Sequence, residues 1–214
     1  EALEERCFAR LPAAPKVLDV ASGNGRFARF LDARAERYVG LDQSPLALEE
    51  ARRRVGESET RRFLEHDFVM AESPLPPEIQ DNVFDLIVLF GVMHHVPGRE
   101  RRRTLLTALA ERLAPKGLVV FSIWRFDEYE RFRRKLVPWQ DFLEATGLSL
   151  DTTELGPGDH IMTWGGEPPS YRYCHAMQEE ELSSLLATLP LKKVTIFDGD
   201  DGLNRYVVVE RGSC

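Results

Sequence analysis

Residues 19–25 have the sequence Asp-Val-Ala-Ser-Gly-Asn-Gly and directly follow the apolar residues Val17 and Leu18. A short apolar run followed by closely spaced glycines predicts a strand, a tight turn and the start of a helix. Glycines let a ligand approach the backbone closely, and the first turn of a helix leaves backbone N–H groups free to bind it. The stretch therefore predicts a ligand-binding loop between a first strand and a first helix.

Apolar runs and helical patterns alternate from residue 16 to residue 124. We predict strands at residues 16–20, 38–41, 61–64, 84–89 and 118–123. One intervening helix begins at Ser44-Pro45 and runs through Arg54, because Ser is a good N-cap and Pro suits the first helical position. Another runs from about Glu100 to Leu113. This alternation is typical of a doubly wound α/β sheet with helices on both faces.

The last third of the chain departs from this alternation. Residues 125–146 are predicted as a charged helix broken at Pro138, and residues 151–177 show little periodicity. A helix follows with leucines on one stripe, and strands are predicted at residues 192–197 and 205–210. The link between these two strands is too short for a parallel crossover, so they must be antiparallel. We expect one domain over residues 1–214, with a substrate-side insertion at about 125–177.

Composition excludes several classes of protein. The chain has 214 residues, 43% hydrophobic, and a net charge of −7, which argues against non-specific adhesion to nucleic acid. No apolar run reaches the roughly 18 residues that a membrane span needs. The cysteines, Cys7, Cys174 and Cys214, lie far apart, which argues against a disulfide framework or a zinc site. We therefore expect a cytoplasmic protein that binds no membrane and no structural metal.

Carboxylates stand at the ends of the first three predicted strands. Asp42 could accept both hydroxyls of a ribose, and Asp67 could accept from an adenine amino group while Phe68 covers the ring. Residues 23–28 also fit the dinucleotide fingerprint. Asp19, however, precedes the glycine turn, where a carboxylate would repel a pyrophosphate. An acidic rim instead suits a ligand with an ammonium and a sulfonium group.

These motifs resemble the class I S-adenosylmethionine (SAM) methyltransferases. The resemblance rests on Asp19-x-Ala-x-Gly-x-Gly, on residues 40–44, 66–68 and 85–96, and on the terminal hairpin. Ala21 stands where the family usually has its first glycine. The resemblance implies a Rossmann-like, seven-stranded sheet with an antiparallel last strand, and SAM as cofactor. The implied cofactor-binding residues are Asp19, Ala21, Ser22, Gly23, Asn24, Gly25, Asp42, Gln43, Ser44, Asp67, Phe68, Phe90, Gly91 and Val92.

A second resemblance lies in the irregular segment. Residues 158–164, Gly-Asp-His-Ile-Met-Thr-Trp, and 171–175, Tyr-Arg-Tyr-Cys-His, are similar to the transfer-RNA methyltransferases that esterify carboxymethyluridine at the wobble position. Cys174 stands where that family usually has Tyr. The resemblance implies tRNA as the substrate and a small activator subunit as a partner. Members of that family also carry an N-terminal segment that this sequence lacks.

The residues are compatible with such a reaction. A carboxymethyl group is ionised at neutral pH, so its oxygen could attack a sulfonium methyl group without a general base. The enzyme would then supply alignment. Arg172 is the candidate to hold the carboxylate, His95 and His175 could donate hydrogen bonds, and Asp159 is expected to orient one of these donors. The predicted catalytic residues are Arg172, His175, His95, Asp159, Trp164 and Tyr173, the last two as stacking faces for a base.

Each of these residues also has a purely structural interpretation. The histidines could be satisfied structural donors, Trp164 could anchor its loop, and Arg172 could pair with a nearby Glu. Two basic clusters could bind the phosphates of a nucleic-acid backbone, or they could be solvated helix faces paired with Glu. The clusters are Arg99, Arg101, Arg102 and Arg103, and Arg125, Arg131, Arg133, Arg134 and Lys135.

Two other functions stay open at this point. The acidic composition favours a small-molecule methyltransferase of secondary metabolism. The glycine turn alone would also suit a non-catalytic nucleotide-binding module.

Overall fold

The computed structural model describes residues 6–166, 168, 170–200 and 202–211. The strands are β1 (Lys16–Val20), β2 (Arg37–Asp42), β3 (Arg61–Glu65), β4 (Phe84–Leu89), β5 (Leu113–Trp124), β6 (Leu136–Val137), β7 (Asp159–Trp164), β8 (Ser170–His175), β9 (Leu191–Asp198) and β10 (Asn204–Arg211). The α-helices are α1 (Arg26–Leu31), α2 (Pro45–Val55), α3 (Arg99–Glu111), α4 (Glu130–Arg133), α5 (Trp139–Thr146) and α6 (Glu179–Ala187).

Seven strands form the central sheet, in the order β3-β2-β1-β4-β5-β10-β9. The first five strands are parallel, and β10 runs antiparallel to both of its neighbours. Asn204 lies opposite Trp124 and Glu210 lies opposite Leu118. The predicted doubly wound sheet with an antiparallel last strand is therefore confirmed.

The central strands are apolar because helices cover both of their faces. In β4, every residue except Asp85 is buried. Neighbouring residues of a strand point to opposite faces, so Ile87 packs into one apolar cluster and Leu86 into another. The sheet therefore lies between two apolar cores, one on each of its faces.

The start of α2 follows the prediction. Ser44 has an extended backbone, its hydroxyl accepts a hydrogen bond from the Ala47 N–H at 3.3 Å, and Pro45 occupies the first turn. A side-chain acceptor at the N-cap satisfies a backbone donor that the helix leaves free. None of the described residues belongs to a helix that is both long and apolar enough to cross a membrane.

The segment between β5 and α6 differs most from the prediction. The helix predicted for residues 125–146 is wrong in its first half, which holds the single turn α4 and the short strand β6. The segment 151–177 was expected to be irregular, but it contains a hairpin of β7 and β8 that pairs with β6 in a second, three-stranded sheet. This sheet buries little, so most of its residues are polar and the strand period is obscured. Its small core is formed by Phe126, Met162, Cys174 and Ala176.

Smaller differences concern β5 and the cysteines. Strand β5 begins at Leu113 and passes through Pro115-Lys116-Gly117, which was predicted as a break. Lys116 has a φ of 65°, and the pairing of β5 with β4 shifts register there. Cys7 and Cys174 are buried free thiols, whereas Cys214 lies outside the described residues.

Gly25 provides a test of how the glycine turn packs. Its φ is +78°, and a Cβ at this position would lie 2.9 Å from Val55 Cγ2 and 3.1 Å from Ala51 Cβ. A left-handed backbone costs an L-residue about 1–2 kcal/mol, and overpacking adds about 1–3 kcal/mol. We expect Gly25→Ala to lower the free energy of unfolding by about 2–4 kcal/mol in urea titrations.

Gly147→Ala is the matched control. Gly147 has a φ of +67°, and a Cβ at this position would meet no atom within 4 Å. Only the backbone cost of about 1–2 kcal/mol should then appear. Equal losses for the two variants would show that the turn does not pack tightly on α2.

Candidate active site

A cavity of about 1030 Å³, here called the main cavity, opens where β1, β2, β3 and β4 end. Ligands of open α/β sheets bind at the carboxyl ends of the strands. The loops after these strands supply one wall, which includes Ala21, Gly23, Asp42, Gln43, Phe68, Gly91 and Val92. The second sheet and the segment before it supply the other wall, which includes Trp139, Leu150, Ile161, Tyr171, Arg172 and Tyr173.

Asp42 ties the glycine turn to the end of the second strand. Its Oδ2 accepts from the Gly23 N–H at 2.8 Å and its Oδ1 accepts from the Ser44 N–H at 2.9 Å. The side chain is buried yet lines the main cavity. A carboxylate has about four lone-pair sites, so Asp42 can still accept two hydroxyls from a ligand.

The turn itself is left-handed. Ala21 has a φ of 63° and Gly23 a φ of 54°. This backbone conformation favours glycine and costs alanine about 1–2 kcal/mol, which explains why a glycine is the expected residue at position 21. A Cβ on Gly23 or on Gly91 would meet no atom within 4 Å. Both glycines therefore leave open space on the cavity side of the backbone.

Asp19 does not line the main cavity, which corrects the expectation that it forms an acidic rim. Its side chain is 2% exposed, and its Oδ2 accepts from the Tyr38 hydroxyl at 2.7 Å. Burial raises the pKa of Asp19 to about 7, although the Tyr38 hydrogen bond opposes the shift and the nearby Asp42 adds to it. Asp19 is therefore a buried residue that supports the glycine turn.

The end of the third strand also differs from the expectation. Asp67 Oδ1 accepts from the N–H groups of Val69 and Met70, at 3.0 and 2.9 Å, so this carboxylate caps its own loop. Phe68, Val69 and Met70 line the main cavity, and Asp67 does not. Asp67 Oδ1 thus shapes the loop, while the predicted contact of Asp67 with an adenine amino group stays a prediction.

The predicted cofactor residues fall into two groups. Those that line the main cavity are Ala21, Gly23, Asp42, Gln43, Phe68, Gly91 and Val92. Those outside its lining are Asp19, Ser22, Asn24, Gly25, Ser44, Asp67 and Phe90. Members of the second group support the first. Ser44 caps α2 and Gly25 packs against α2. Phe90 packs edge to face on Phe27, with the two ring centres 5.2 Å apart.

A smaller cavity of about 280 Å³, here called the side cavity, shares Gly91, His95 and Arg172 with the main cavity. Its other lining residues are mostly aromatic or cationic: Arg26, Phe90, His94, Trp124, Trp164 and Tyr206. Ser122, also in its lining, accepts a hydrogen bond from the Gly91 N–H at 2.8 Å. The side cavity is therefore suited to a planar group that carries negative charge.

Arg172 lies at the junction of the two cavities. Its guanidinium carbon lies 4.8 Å from the centre of the Trp164 ring, and Lys135 Nζ lies 5.1 Å from the same centre. Across the residues that the structure describes, Arg172 forms no ion pair with a carboxylate. Pairing with Glu, the structural interpretation of Arg172, finds no support there, and the guanidinium is available to an anion.

His95 differs from the prediction in the kind of hydrogen bond that it can make. Its Nδ1 lies 2.8 Å from the Tyr173 carbonyl oxygen, so Nδ1 carries the proton and donates. Burial lowers the pKa of His95, which favours the neutral ring. Nε2 is then an acceptor, whereas the sequence suggested a donor. His95 is suited to accept a proton or a hydrogen bond.

His175 lines neither cavity, so the structure gives no support for the predicted contact of this ring with the substrate. The ring is 4% exposed; its Nδ1 lies 2.6 Å from Asp159 Oδ1 and its Nε2 lies 2.7 Å from Glu181 Oε2. Both nitrogens are therefore in use. Asp159 orients donors, as expected, because the Tyr173 hydroxyl and the Gly156 N–H also donate to it.

The two basic clusters are largely paired within the described residues. Arg102 binds Glu181, Arg103 binds Glu100, and Arg125 binds both Glu128 and Asp198. Arg133 and Arg134 share Glu130. The interpretation as solvated, ion-paired surfaces is favoured for Arg103, Arg125, Arg133 and Arg134, whereas Arg102 is buried. Arg101 is different because it lines the main cavity.

Sequence reasoning missed the wall that the second sheet contributes. Trp139, Ile161 and Tyr171 line the main cavity, although the sequence predicted none of them for the site. Tyr171 was within reach, since it directly precedes Arg172 in the 171–175 motif. The sequence did not indicate that Trp139 and Ile161 belong to the site, because their position depends on how β6 pairs with β7.

Comparisons with known proteins agree with this architecture. Residues 18–119 match the family described as "Methyltransferase domain". A SAM-dependent methyltransferase from Clostridium acetobutylicum superimposes with a TM-score of 0.70 at 16% identity, covering 99% of this chain and 89% of that one. The N-methyltransferase NodS from Bradyrhizobium japonicum, in complex with S-adenosyl-L-homocysteine, gives a TM-score of 0.59 at 18% identity over 94% and 80% of the two chains.

Curated relatives match by sequence as well. The protein named probable tRNA methyltransferase 9B from Mus musculus is 29% identical over 136 residues, which is 62% of this chain. Its Homo sapiens counterpart is 28% identical over 143 residues, which is 65% of this chain. The match spans less than a third of the length of these relatives, 28% in both.

Fold and sequence point to the same class: this chain is similar in architecture to SAM-dependent methyltransferases, as the sequence predicted. Residues 18–119 are the part that matches the methyltransferase-domain family. The residues also fit the class's cofactor, S-adenosylmethionine. Asp42 has unused acceptor sites, Phe68 offers an apolar face, and Gly23 and Gly91 leave space for a ligand beside the backbone.

Asp19 makes the stability of the fold depend on pH. Its pKa is about 7 in the folded chain against an ordinary value of 3.8, so the folded state holds the proton more tightly. The ionised form is therefore the destabilising one, and stability is lost as the pH rises from about 4 to about 7. Without ligand, we expect Asp19→Asn to be more stable than the wild type in urea, by about 2–3 kcal/mol more at pH 8 than at pH 5.

Tyr38→Phe is the companion variant. It removes the hydroxyl that stabilises the ionised Asp19, so its own loss of stability should grow with pH. Variants that differ from the wild type by the same amount at pH 5 and pH 8 would contradict this account of Asp19.

Proposed function

We propose that this chain transfers a methyl group from SAM to the carboxylate of a carboxymethylated wobble uridine in tRNA, in the cytoplasm. The observation that carries the proposal is Arg172, a cation at the junction of the two cavities with no carboxylate partner among the described residues. The names of the curated relatives support tRNA as the substrate. The activator subunit implied by the resemblance stays a prediction.

The cofactor end of the main cavity is supplied by the strand ends. SAM, when bound, supplies a methyl group on a positively charged sulfur. Asp42 would accept the ribose hydroxyls, and its two backbone hydrogen bonds hold it in place for this. Phe68 would cover the adenine ring. Gly23 and Gly91 would let the ligand lie against the backbone, since neither carries a side chain on that side.

The acceptor end is formed around Arg172. A carboxylate paired with a guanidinium stays ionised and needs no base to become a nucleophile. The task of the residues is then to hold one carboxylate oxygen in line with the methyl group, at roughly 3 Å. Trp164, which is 39% exposed, and Tyr173 offer aromatic faces for an extruded base.

A small-molecule methyltransferase is the second candidate, favoured by one observation. His95 lines both cavities, and its neutral ring offers Nε2 as a hydrogen-bond acceptor. Such a group could take a proton from a hydroxyl or amine acceptor, which a carboxylate acceptor would not need. Methyl transfer from labelled SAM to bulk tRNA, compared with small acids, phenols and amines, separates the two candidates.

The cofactor part of the proposal is tested by calorimetry with SAM. In Asp42→Asn, the side-chain NH2 would face the N–H of Gly23 or of Ser44, so the loop loses a hydrogen bond and the ribose loses an acceptor. We expect the Kd for SAM to rise at least about 10-fold, equivalent to one lost hydrogen bond to a charged group. Asp85→Asn is the control: Asp85 Oδ2 accepts the Lys16 N–H at 2.8 Å at the start of β1, away from the cavity, and the same change there should alter the Kd less than about 3-fold.

Two outcomes would remove the SAM assignment. One is an unmeasurable affinity of the wild type for SAM. The other is NADH bound with its diphosphate against residues 21–25, because that would make the site a dinucleotide site.

The acceptor part is tested with Arg172→Gln. We expect kcat/KM for tRNA to fall at least about 10-fold, because hydrogen bonds to a charged group contribute about 1.5–3 kcal/mol. Affinity for SAM should stay within about 2-fold, since Arg172 is not among the residues assigned to the cofactor. Arg133→Gln, which removes an exposed cation already paired with Glu130, should leave kcat/KM within about 2-fold.

The proposed substrate has its own test in cells. Mass spectrometry of tRNA nucleosides from cells that lack the protein should show carboxymethyluridine accumulating at the expense of its methyl ester. Unchanged nucleosides, together with activity on small acids or phenols, would favour the second candidate.

A further inference from the structure

A buried chain of alternating charges lies next to the main cavity without lining it. Arg102 Nη2 donates to Glu181 Oε1 at 2.7 Å. The other oxygen of Glu181 lies 2.7 Å from His175 Nε2, and His175 Nδ1 lies 2.6 Å from Asp159 Oδ1. The four side chains come from α3, α6, β8 and β7, so the chain links segments that are far apart in sequence.

The hydrogen bonds of His175 fit a charged imidazole at the centre when both carboxyl groups are ionised. An ionised carboxylate only accepts hydrogen bonds, so a ring with a carboxylate at each nitrogen must donate from both, which is the imidazolium form. Burial raises the pKa of Asp159 and of Glu181, but their hydrogen bonds from Tyr173, His175 and Arg102 outweigh burial and hold both below the usual range. The four groups therefore carry two positive and two negative charges.

The chain reaches the cavity through Asp159. The Tyr173 hydroxyl donates to its Oδ1 at 2.5 Å, and the indole N–H of Trp139 donates to its backbone carbonyl at 3.1 Å. The Tyr173 carbonyl in turn accepts from His95 at 2.8 Å. Tyr173, Trp139 and His95 all line the main cavity, so one aspartate connects the charged chain to the acceptor end.

We propose that His175 is a positioning residue: as an imidazolium held between Asp159 and Glu181, it sets the positions of Tyr173, His95 and Arg172 at the acceptor end of the main cavity. Arg172 is included because it neighbours Tyr173 on the same short strand. The inference rests on the proposed function, since an acceptor must bind at that end for the position to matter.

Close packing keeps the ring in this place. A Cβ on Gly158 would lie 2.9 Å from His175 Cε1 and 2.5 Å from the Ala176 carbonyl oxygen. A neutral ring in the same place would present a lone pair to one carboxylate and leave a buried charge unpaired. The remaining titratable neighbour is His160, on the same strand as Asp159 and half-buried against Phe126, and burial lowers its pKa, which favours the neutral ring. If the His175 ring were neutral, the strand pair β7–β8 would shift, and Arg172 would move with it.

The test compares His175→Gln with His160→Gln. The control changes a histidine on β7 that packs against Phe126, with ring centres 5.8 Å apart, and that lies outside the charged chain. For His175→Gln, we expect kcat/KM for tRNA to fall about 100-fold, the effect of displacing reacting groups by about 1 Å. The Kd for SAM should stay within about 2-fold for both variants, because the cofactor end belongs to the other wall.

A second substitution separates charge from shape. Glu181→Gln keeps the size of the side chain but removes the carboxylate that binds His175 Nε2 and Arg102 Nη2, so we expect kcat/KM for tRNA to fall at least about 10-fold. A role in packing alone predicts a loss below about 2-fold, because Gln fills the same space. Glu181→Gln also keeps the test available if His175→Gln does not fold.

Nuclear magnetic resonance gives a measurement that does not depend on the acceptor. In the wild type at neutral pH, both ring nitrogens of His175 should carry slowly exchanging protons. The indole N–H resonance of Trp139 should shift in His175→Gln and stay in place in His160→Gln, since Trp139 donates to Asp159.

The outcomes are distinct. A single protonated nitrogen on His175, an unshifted Trp139 resonance, or equal loss of SAM affinity and of turnover in His175→Gln would overturn the positioning role. If the wild type methylates no tRNA while both resonance results hold, the proposed substrate fails and the positioning role stands. The variants are then assayed with whichever small acid, phenol or amine is methylated.

Discussion

The carboxylate of Asp42 is the interaction on which the site depends. It accepts from the N–H of Gly23 on one side and of Ser44 on the other, so it joins the turn after β1 to the start of α2. The turn is left-handed at Ala21 and Gly23 and makes few contacts of its own. A buried backbone N–H without a partner costs roughly 1–3 kcal/mol, so Asp42 both stabilises the turn and holds an acceptor at the cavity. Stability and ligand binding are thus served by the same two hydrogen bonds.

The second sheet is attached in a different way. Its apolar core consists of a few side chains around Phe126 and Met162, which is too little to hold a sheet in one position. The ion pair between Arg102 and Glu181 and the two contacts of His175 supply the attachment instead. Buried ion pairs add little net stability because desolvation offsets their attraction, but they are demanding in geometry. The arrangement therefore gives a precise position where apolar packing would give a tolerant one.

The parts that could be predicted from sequence are those set by local pattern. Strand β1 and strand β4 have the bounds that their apolar runs indicated, and α2 begins after Ser44 because the cap and Pro45 lie next to each other in sequence. Side-chain roles were hardest to predict where the partner lies far away in sequence. Asp19 pairs with Tyr38, 19 residues on, and Arg102 pairs with Glu181, 79 residues on, and neither pairing follows from a motif. The second sheet was missed because its strands bury few residues, so the alternation of polar and apolar residues is weak.

The charge of Arg172 affects how tightly the proposed site holds its substrate compared with its product. A carboxylate acceptor is an anion and binds the guanidinium strongly, whereas its methyl ester is neutral and keeps only ordinary hydrogen bonds. Hydrogen bonds to charged groups contribute about 1.5–3 kcal/mol, against about 0.5–1.5 kcal/mol for neutral ones. The same side chain therefore favours the substrate over the product by roughly 1–2 kcal/mol, or about 5- to 30-fold. Its contact with the Trp164 ring keeps the guanidinium in place when the carboxylate charge is lost. A site built around a neutral donor would hold acid and ester more equally.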